Sequence, residues 1–244
     1  MIYSKMLAAK AEKRKQISVL IDPDKPTIRE LESLAQLAER VKADYFFVGG
    51  SLLTNDHLEI CIDTLKSNSS IPVVLFPGNN LQISAKADAL LFLSLISGRN
   101  ADMLIGRHVI AAPYLKHSKL EVIPTGYMLI ESGKTTSVEY MSNSLPIPSD
   151  KNDIAICTAM AGEMLGMKLI YMDAGSGALN PVQTSMIQGV NNNVRIPVIV
   201  GGGIKTPEKA IENCNVGADI IVVGNSFEKH PELLSEMTAA IHSV

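Results

Sequence analysis

Val198-Ile199-Val200-Gly201-Gly202-Gly203 and Ile220-Ile221-Val222-Val223-Gly224-Asn225 decide the fold of this chain. Each is a β-branched apolar run that stops at glycine. Thr206-Pro207-Glu208 opens a helical pattern after the first, and Ser226-Phe227-Glu228 opens one after the second. A strand, a tight glycine turn and a helix N-terminus thus occur twice in succession. Glycine lets a backbone approach an anion closely, and a helix N-terminus offers free N–H groups at the positive end of its dipole. In (β/α)8 barrels the loops after strands 7 and 8 often hold a phosphate. The pair therefore predicts a barrel enzyme that handles a phosphorylated small molecule.

Working outward, strand-like runs recur at Ile17–Ile21, Tyr45–Val48, Val73–Phe76, Ala89–Leu93, Glu121–Ile123 or Tyr127–Ile130, and Leu169–Met172. Most are continuous rather than alternating, as strands buried on both faces require. Helical periodicity lies between them: Ile28 to Val41, Leu58 to Leu65, and the alanine- and methionine-rich Ala155 to Leu165. Alternating strands and helices imply parallel βαβ units, and eight strands favour closure over an open sheet. The expected fold is α/β, a modified (β/α)8 TIM barrel, read as a single domain over residues 1–244. Pro77–Ala87 is short for a helix, so the third βα unit is expected to be irregular. Glu131–Pro148, rich in Ser, Thr, Gly, Asn and Pro, reads as a long loop after strand 5, of the kind that carries function or moves.

Composition narrows the class. The 244 residues carry a formal net charge of −3, which gives no reason to expect nucleic acid or a polybasic membrane contact. Lys10, Lys13, Arg14 and Lys15 read as the solvated face of an N-terminal helix. Cys61, Cys157 and Cys214 have no metal-ligand spacing and read as small core residues in a reducing compartment. No signal-peptide pattern opens the chain, and the apolar Ala89–Ile96 is far shorter than the ~20 residues of a membrane span. The five histidines share no spacing and read as structural or exposed. A cytoplasmic enzyme without a transmembrane segment is expected.

Four further stretches carry chemistry. Asp22-Pro23-Asp24-Lys25 follows the first strand; it is either a capped turn or a carboxylate aimed into the mouth of the barrel, where hard oxygen ligands suit Mg2+. Gly49-Gly50-Ser51, with Thr54 beyond it, follows strand 2; it is either a glycine turn with an N-cap or a source of a hydroxyl for the same cation. Tyr171-Met172-Asp173-Ala174-Gly175-Ser176-Gly177 follows strand 6 and offers a third anion- or hydroxyl-binding turn, with Asp173 at the strand end. Tyr127 and Glu131 lie near the end of strand 5. Arg99, in Ser97-Gly98-Arg99-Asn100, reads equally as a phosphate contact or a surface group. Gly201-Gly202-Gly203 lacks the spacing of a dinucleotide fingerprint. Taken alone, these residues also suit an isomerase or lyase acting on a phosphorylated substrate, or a barrel that only binds a phosphorylated ligand.

In this order, Asp22-Pro23-Asp24-Lys25, Gly49-Gly50-Ser51, the Tyr171–Gly177 loop, Gly201-Gly202-Gly203-Ile204 and Gly224-Asn225 resemble the geranylgeranylglyceryl phosphate synthases. Leu91–Asn100 resembles their longer-chain subgroup. The resemblance runs from Ile17 to Asn225. It implies an irregular third unit in the barrel and a Mg2+-dependent prenyltransferase. Such an enzyme joins sn-glycerol 1-phosphate to a polyprenyl diphosphate, geranylgeranyl above all, through an ether bond, early in ether-lipid synthesis. By resemblance, Asp22 and Ser51 bind the metal. Tyr171, Met172, Asp173, Ala174, Gly175, Ser176, Gly177, Gly202, Gly203, Gly224 and Asn225 bind the glycerol phosphate. Asp173, with Tyr171, is the candidate to orient and deprotonate the attacking hydroxyl. Two departures stand out. Asp173 replaces the family's usual glutamate and shortens its reach by about one C–C bond, ~1.5 Å. Leu20 stands where some members carry lysine. The resemblance also implies a homo-oligomer, a dimer or a hexamer. Met103, Leu104, Ile105, Val109 and Ile110, after strand 4, are more apolar than one core-facing stripe requires; the surplus either faces neighbouring helices of the same barrel or packs on another subunit, and a subunit contact at that unit is the expectation.

Overall fold

A computed structural model describes residues 1–224 and 232–244. Eight parallel strands close into a barrel in chain order: β1 (Gln16–Ile21), β2 (Tyr45–Val48), β3 (Val73–Leu75), β4 (Ala89–Leu95), β5 (Glu121–Leu129), β6 (Leu169–Asp173), β7 (Val198–Gly201) and β8 (Ile220–Val223). The strand β8 pairs back onto β1, Gln16 opposite Ile220. Side chains on each strand alternate between two apolar layers. Tyr45, Phe47, Leu91, Ile123, Tyr171 and Ile199 fill the barrel interior, while Phe46, Val48, Val73, Met172 and Val200 pack outward against the helices. The continuous apolar runs in the sequence follow from this double burial.

Among the described residues the α-helices are α1 (Ile2–Ala11), α2 (Ile28–Val41), α3 (Leu58–Asn68), α4 (Arg107–His117), α5 (Ser137–Ser142), α6 (Asn152–Met164), α7 (Thr184–Asn193), α8 (Pro207–Asn215) and α9 (Glu232–His242). A capping box starts α2: Glu30 N donates to Thr27 Oγ1, and Thr27 N donates to Glu30 Oε2. Thr206 caps α8 through Lys209 N, with Pro207 at its first turn, as the sequence predicts. The helical start predicted at Ser226-Phe227-Glu228 lies outside the described residues. No helix among the described residues is long and apolar enough to cross a membrane.

One device repeats at the bottom of the barrel. Asp44, Asp88 and Asp219 stand directly before β2, β4 and β8. Each accepts a backbone N–H from the start of the preceding strand: Ile17 N at 2.9 Å, Val73 N at 2.8 Å and Val198 N at 2.8 Å. Here part of the basic N-terminal cluster departs from its expected solvated role, although Lys13 and Arg14 remain exposed. Lys10 pairs with Asp219 at 2.7 Å, Arg14 with Asp44 at 2.8 Å, and Lys15 Nζ donates to the Ala218 carbonyl at 2.9 Å. Lys10 and Arg14 thus neutralise Asp219 and Asp44, while Asp88 pairs with Lys66 at 2.7 Å, and Ile2 and Met6 of α1 close the barrel floor from below.

Three other readings are corrected. Glu121–Ile123 and Tyr127–Ile130 were alternatives for strand 5; one strand contains most of both and runs through Pro124, whose carbonyl still accepts from Lys168 N at 2.8 Å. Glu131–Pro148 is not one open loop: it holds α5 and returns to the sheet through an Ile130–Ile147 bridge. Of the cysteines, Cys61 and Cys214 are buried but Cys157 is exposed. The irregular third unit is observed. Residues 76–88 form turns without a helix, and β4 begins after them.

Candidate active site

The strand ends converge on one cavity of 640 Å³ at the top of the barrel. Asp22, Lys25, Gly50 and Ser51 line one side; Gly175, Ser176, Gly177, Gly202, Gly203 and Gly224 line another; Tyr127, Tyr171 and Asp173 form its floor. An apolar arm extends between β4 and α4, past Ile83, Leu90, Phe92, Met103, Ala111 and Leu115, over the unit that lacks a helix.

At the first side, Asp22 follows β1 directly. Its Oδ1 accepts from Asp24 N at 3.2 Å, and Lys25 Nζ stands 3.5 Å from Oδ2. A Cβ on Gly50 would stand 3.4 Å from Asp22 Cγ, so the β2 loop lies against this carboxylate. Asp24 turns the other way. Its Oδ2 accepts from Thr54 N, Thr54 Oγ1 and Asn55 N, and these bonds lower its carboxyl against the upward pull of burial. Thr54 is thus tied to the β1 loop rather than capping α3, which starts after His57.

On the floor, Tyr127 hydroxyl donates to Asp173 Oδ2 at 2.6 Å and Gly175 N donates to Oδ1 at 2.7 Å. Burial raises the Asp173 carboxyl, and these two bonds pull it only part of the way back. Burial likewise raises both tyrosine hydroxyls, with the Asp173 charge adding to it, so neither gives up its proton near neutrality. Phe76, Tyr127 and Tyr171 meet ring to ring at 5.1, 5.5 and 6.0 Å between centroids. This packing fixes the floor.

The glycine loops are close-packed for a reason. Gly202 has φ +80, and a Cβ there would stand 2.7 Å from Gly175 N and 2.8 Å from Asp173 Oδ1. Only glycine lets the β6 and β7 loops touch. Two predicted binding residues are not at the wall. Met172 packs outward among the helices, because alternate residues of a strand face opposite sides, and Ala174 is buried beside it with its N–H bound to Gly201 O at 3.1 Å. Asn225 lies outside the described residues. Arg99 is exposed and bonds to Gly98 O at 2.8 Å, and Glu131 bonds to Ser149 N at 3.2 Å; neither lines the cavity.

Two residues at the site had no signal in the sequence reading. Gln82 is buried beneath the cavity wall at Gly50, and His108 stands edge-on to Phe92 at 4.2 Å inside the apolar arm, its imidazole pushed down by burial. Lone polar residues in a loop and on a helix carry no periodicity or motif that could mark them.

Comparison with known proteins agrees with this geometry. The chain is 55% identical to the geranylgeranylglyceryl phosphate synthase of Chitinophaga pinensis, across 99% of this chain and 96% of that one. It is 54% identical to the protein of the same name from Spirosoma linguale, across 93% and 92%. The crystal structure of (S)-3-O-geranylgeranylglyceryl phosphate synthase from Thermoplasma acidophilum, in complex with its substrate sn-glycerol-1-phosphate, superposes with a TM-score of 0.93 at 34% identity. That match covers 99% of this chain and 98% of the other. The PcrB family model matches residues 10–243, and the chain belongs to that family.

Proposed function

We propose that this protein is a prenyltransferase that joins the free hydroxyl of sn-glycerol 1-phosphate to a polyprenyl diphosphate, geranylgeranyl above all, forming an ether and releasing diphosphate. One observation carries the reading: a single cavity joins a glycine-lined anion site, a buried carboxylate and a long apolar arm. An isomerase or lyase of a small phosphorylated substrate has no use for such an arm, whereas each prenyl CH2 buried in it contributes about 0.8 kcal/mol. The relatives' names and the glycerol-phosphate complex of the Thermoplasma protein support the same chemistry.

In this reading the N–H groups of Gly177, Gly202, Gly203 and Gly224 hold the phosphate of the acceptor, while the Gly175 N–H stays on Asp173. Its hydroxyl then lies over Asp173. The carboxylate, held by Tyr127 and Gly175, accepts the hydroxyl proton as the C–O bond forms, and its raised affinity for a proton suits it to that task. Tyr171 fixes the acceptor beside it. Holding the hydroxyl at attack distance removes much of the entropic barrier. The apolar arm orders the tail so that the allylic carbon faces the acceptor.

The donor set at Asp22 and Ser51 fits Mg2+: hard oxygens, one carboxylate and one hydroxyl, on adjacent strand ends. Among the described residues no three His, Cys, Asp or Glu side chains cluster as a metal cage. A magnesium site of this kind takes its remaining ligands from substrate phosphates and water. Bound there, the ion would supply neutralisation of the departing diphosphate; Lys25, 3.5 Å from Asp22 Oδ2, adds positive charge to the same end of the cavity.

We further infer a cytoplasmic enzyme of one domain that works as a homo-oligomer. Ile105, Val109, Ile110 and Tyr114, on the π-helical turn Asp102–Gly106 and α4, are all more than half exposed, at 61, 65, 61 and 70%. That face supports the expected subunit contact. The test of the activity is incubation with labelled glycerol 1-phosphate, Mg2+ and prenyl diphosphates of graded length, with products identified by mass spectrometry. An ether product is expected; hydrolysis alone would overturn the reading.

A further inference from the structure

We propose that Gln82 is the positioning residue of the cation–diphosphate end of the site: its amide locks the Gly50-Ser51 turn against the Asp22 carboxylate. This rests on the metal reading above. Gln82 is 1% exposed and lies in the unit that has lost its helix. Its Oε1 accepts from Gly50 N and from Gly78 N, both at 3.2 Å, and its Nε2 donates to Gly50 O at 2.7 Å. Two donors and one acceptor around the amide fix its orientation, because the flipped amide would set N–H against N–H and oxygen against oxygen. One side chain therefore holds both backbone groups of Gly50, the residue before Ser51, in the manner of a neighbouring strand.

The surroundings leave this turn nowhere else to go. A Cβ on Gly78 would stand 2.2 Å from Gly50 O and 2.9 Å from Ser51 Cα, and a Cβ on Gly49 would stand 2.0 Å from Phe76 O. The loops after β2 and β3 thus touch backbone to backbone, and Gln82 fills the gap behind them. Arg107 Nη1, from the start of α4, donates to Gly78 O at 3.0 Å and fastens the same loop to the helix that walls the apolar arm. In an ordinary βα unit a helix would cover this region. Here one buried amide takes over the positioning, so Ser51 is set by Gln82 rather than by secondary structure. Groups that orient metal ligands in this indirect way typically contribute about 10–100-fold to metal affinity.

The experiment measures Mn2+ binding by electron paramagnetic resonance, in the presence of inorganic pyrophosphate, on full-length wild type, Gln82→Glu and Gln82→Leu. Glycerol 1-phosphate binding by calorimetry and the melting temperature are recorded beside it. Gln82→Glu keeps the acceptor for the two N–H groups and the side-chain volume but cannot donate to Gly50 O, so it remains informative if Gln82→Leu does not fold. The expected result is Mn2+–pyrophosphate binding weakened about 10-fold or more in Gln82→Glu, with glycerol 1-phosphate affinity unchanged. Wild-type Mn2+ affinity in Gln82→Glu with a lowered melting temperature would show a structural role only and overturn the proposal. Absence of Mn2+–pyrophosphate binding in the wild type would overturn the metal reading and the role of Gln82 with it. Weakened binding in the variants of a wild type that makes no ether would sustain the clamp and remove the proposed reaction.

Discussion

Tyr127 on β5 reaches diagonally across the sheet and donates its hydroxyl to Asp173 on β6 at 2.6 Å, although the residue facing it in register is Tyr171. The bond lowers the carboxyl affinity for a proton while burial raises it, and burial wins. The rate should therefore fall on the acid side with an apparent pKa above the usual carboxylate range. Tyr127→Phe removes one lowering contact, so the acid limb of kcat/KM should move to higher pH. An acid limb that stays in place in the variant would show that Asp173 does not control it.

The same shift has a consequence for stability. Asp173 has its proton affinity raised by folding, so its contribution is fully present below the unfolded-state pKa and is lost as pH rises through the folded value. At neutral pH the buried charge is a cost. Asp173→Asn should abolish turnover yet melt no lower than wild type at neutral pH, with any advantage shrinking as the pH falls. A large loss of melting temperature at neutral pH would contradict the raised pKa.

Much of this was legible beforehand, for a physical reason. Runs such as Tyr45–Val48 and Ile220–Val223 are apolar on both faces because both faces are buried, and their boundaries match the strands. Glycines where a Cβ cannot fit, Gly202 and Gly203, mark themselves. Pro124 obscured β5, because proline in a run argues against a strand; here the run continues past it. Met172 was read into the site from its motif, while strand alternation turns it outward. Gln82 was invisible: its function depends on where the folded chain places Gly50 and Gly78.

Asp22→Ala should leave the melting temperature near wild type and cut turnover by about 10³-fold, the several kcal/mol that charge stabilisation supplies. Circular dichroism and steady-state rates check it. Full activity of the wild type in excess chelator would remove the metal from the account.

Gly202→Ala places a methyl 2.7 Å from Gly175 N and 2.8 Å from Asp173 Oδ1. It should destabilise by about 1–3 kcal/mol, the cost of a strained backbone position, and raise the KM for glycerol 1-phosphate far more than that for the prenyl diphosphate. Equal changes in the two KM values would place the phosphate elsewhere.

The exposed Ile105, Val109 and Ile110 should pack on another subunit. Val109→Glu with Ile110→Glu should reduce the mass seen by light scattering to that of the 26.3 kDa chain. A wild type that is already monomeric at micromolar concentration would defeat the expectation.

The most direct test of the central claim compares the two enantiomers of glycerol phosphate as acceptors, with Mg2+ and geranylgeranyl diphosphate, and reads the ether product by mass spectrometry. The account predicts product from sn-glycerol 1-phosphate and little from the 3-phosphate, because the glycine turns fix the phosphate and Asp173 fixes the hydroxyl. Equal rates with both, or no ether from either, would contradict it.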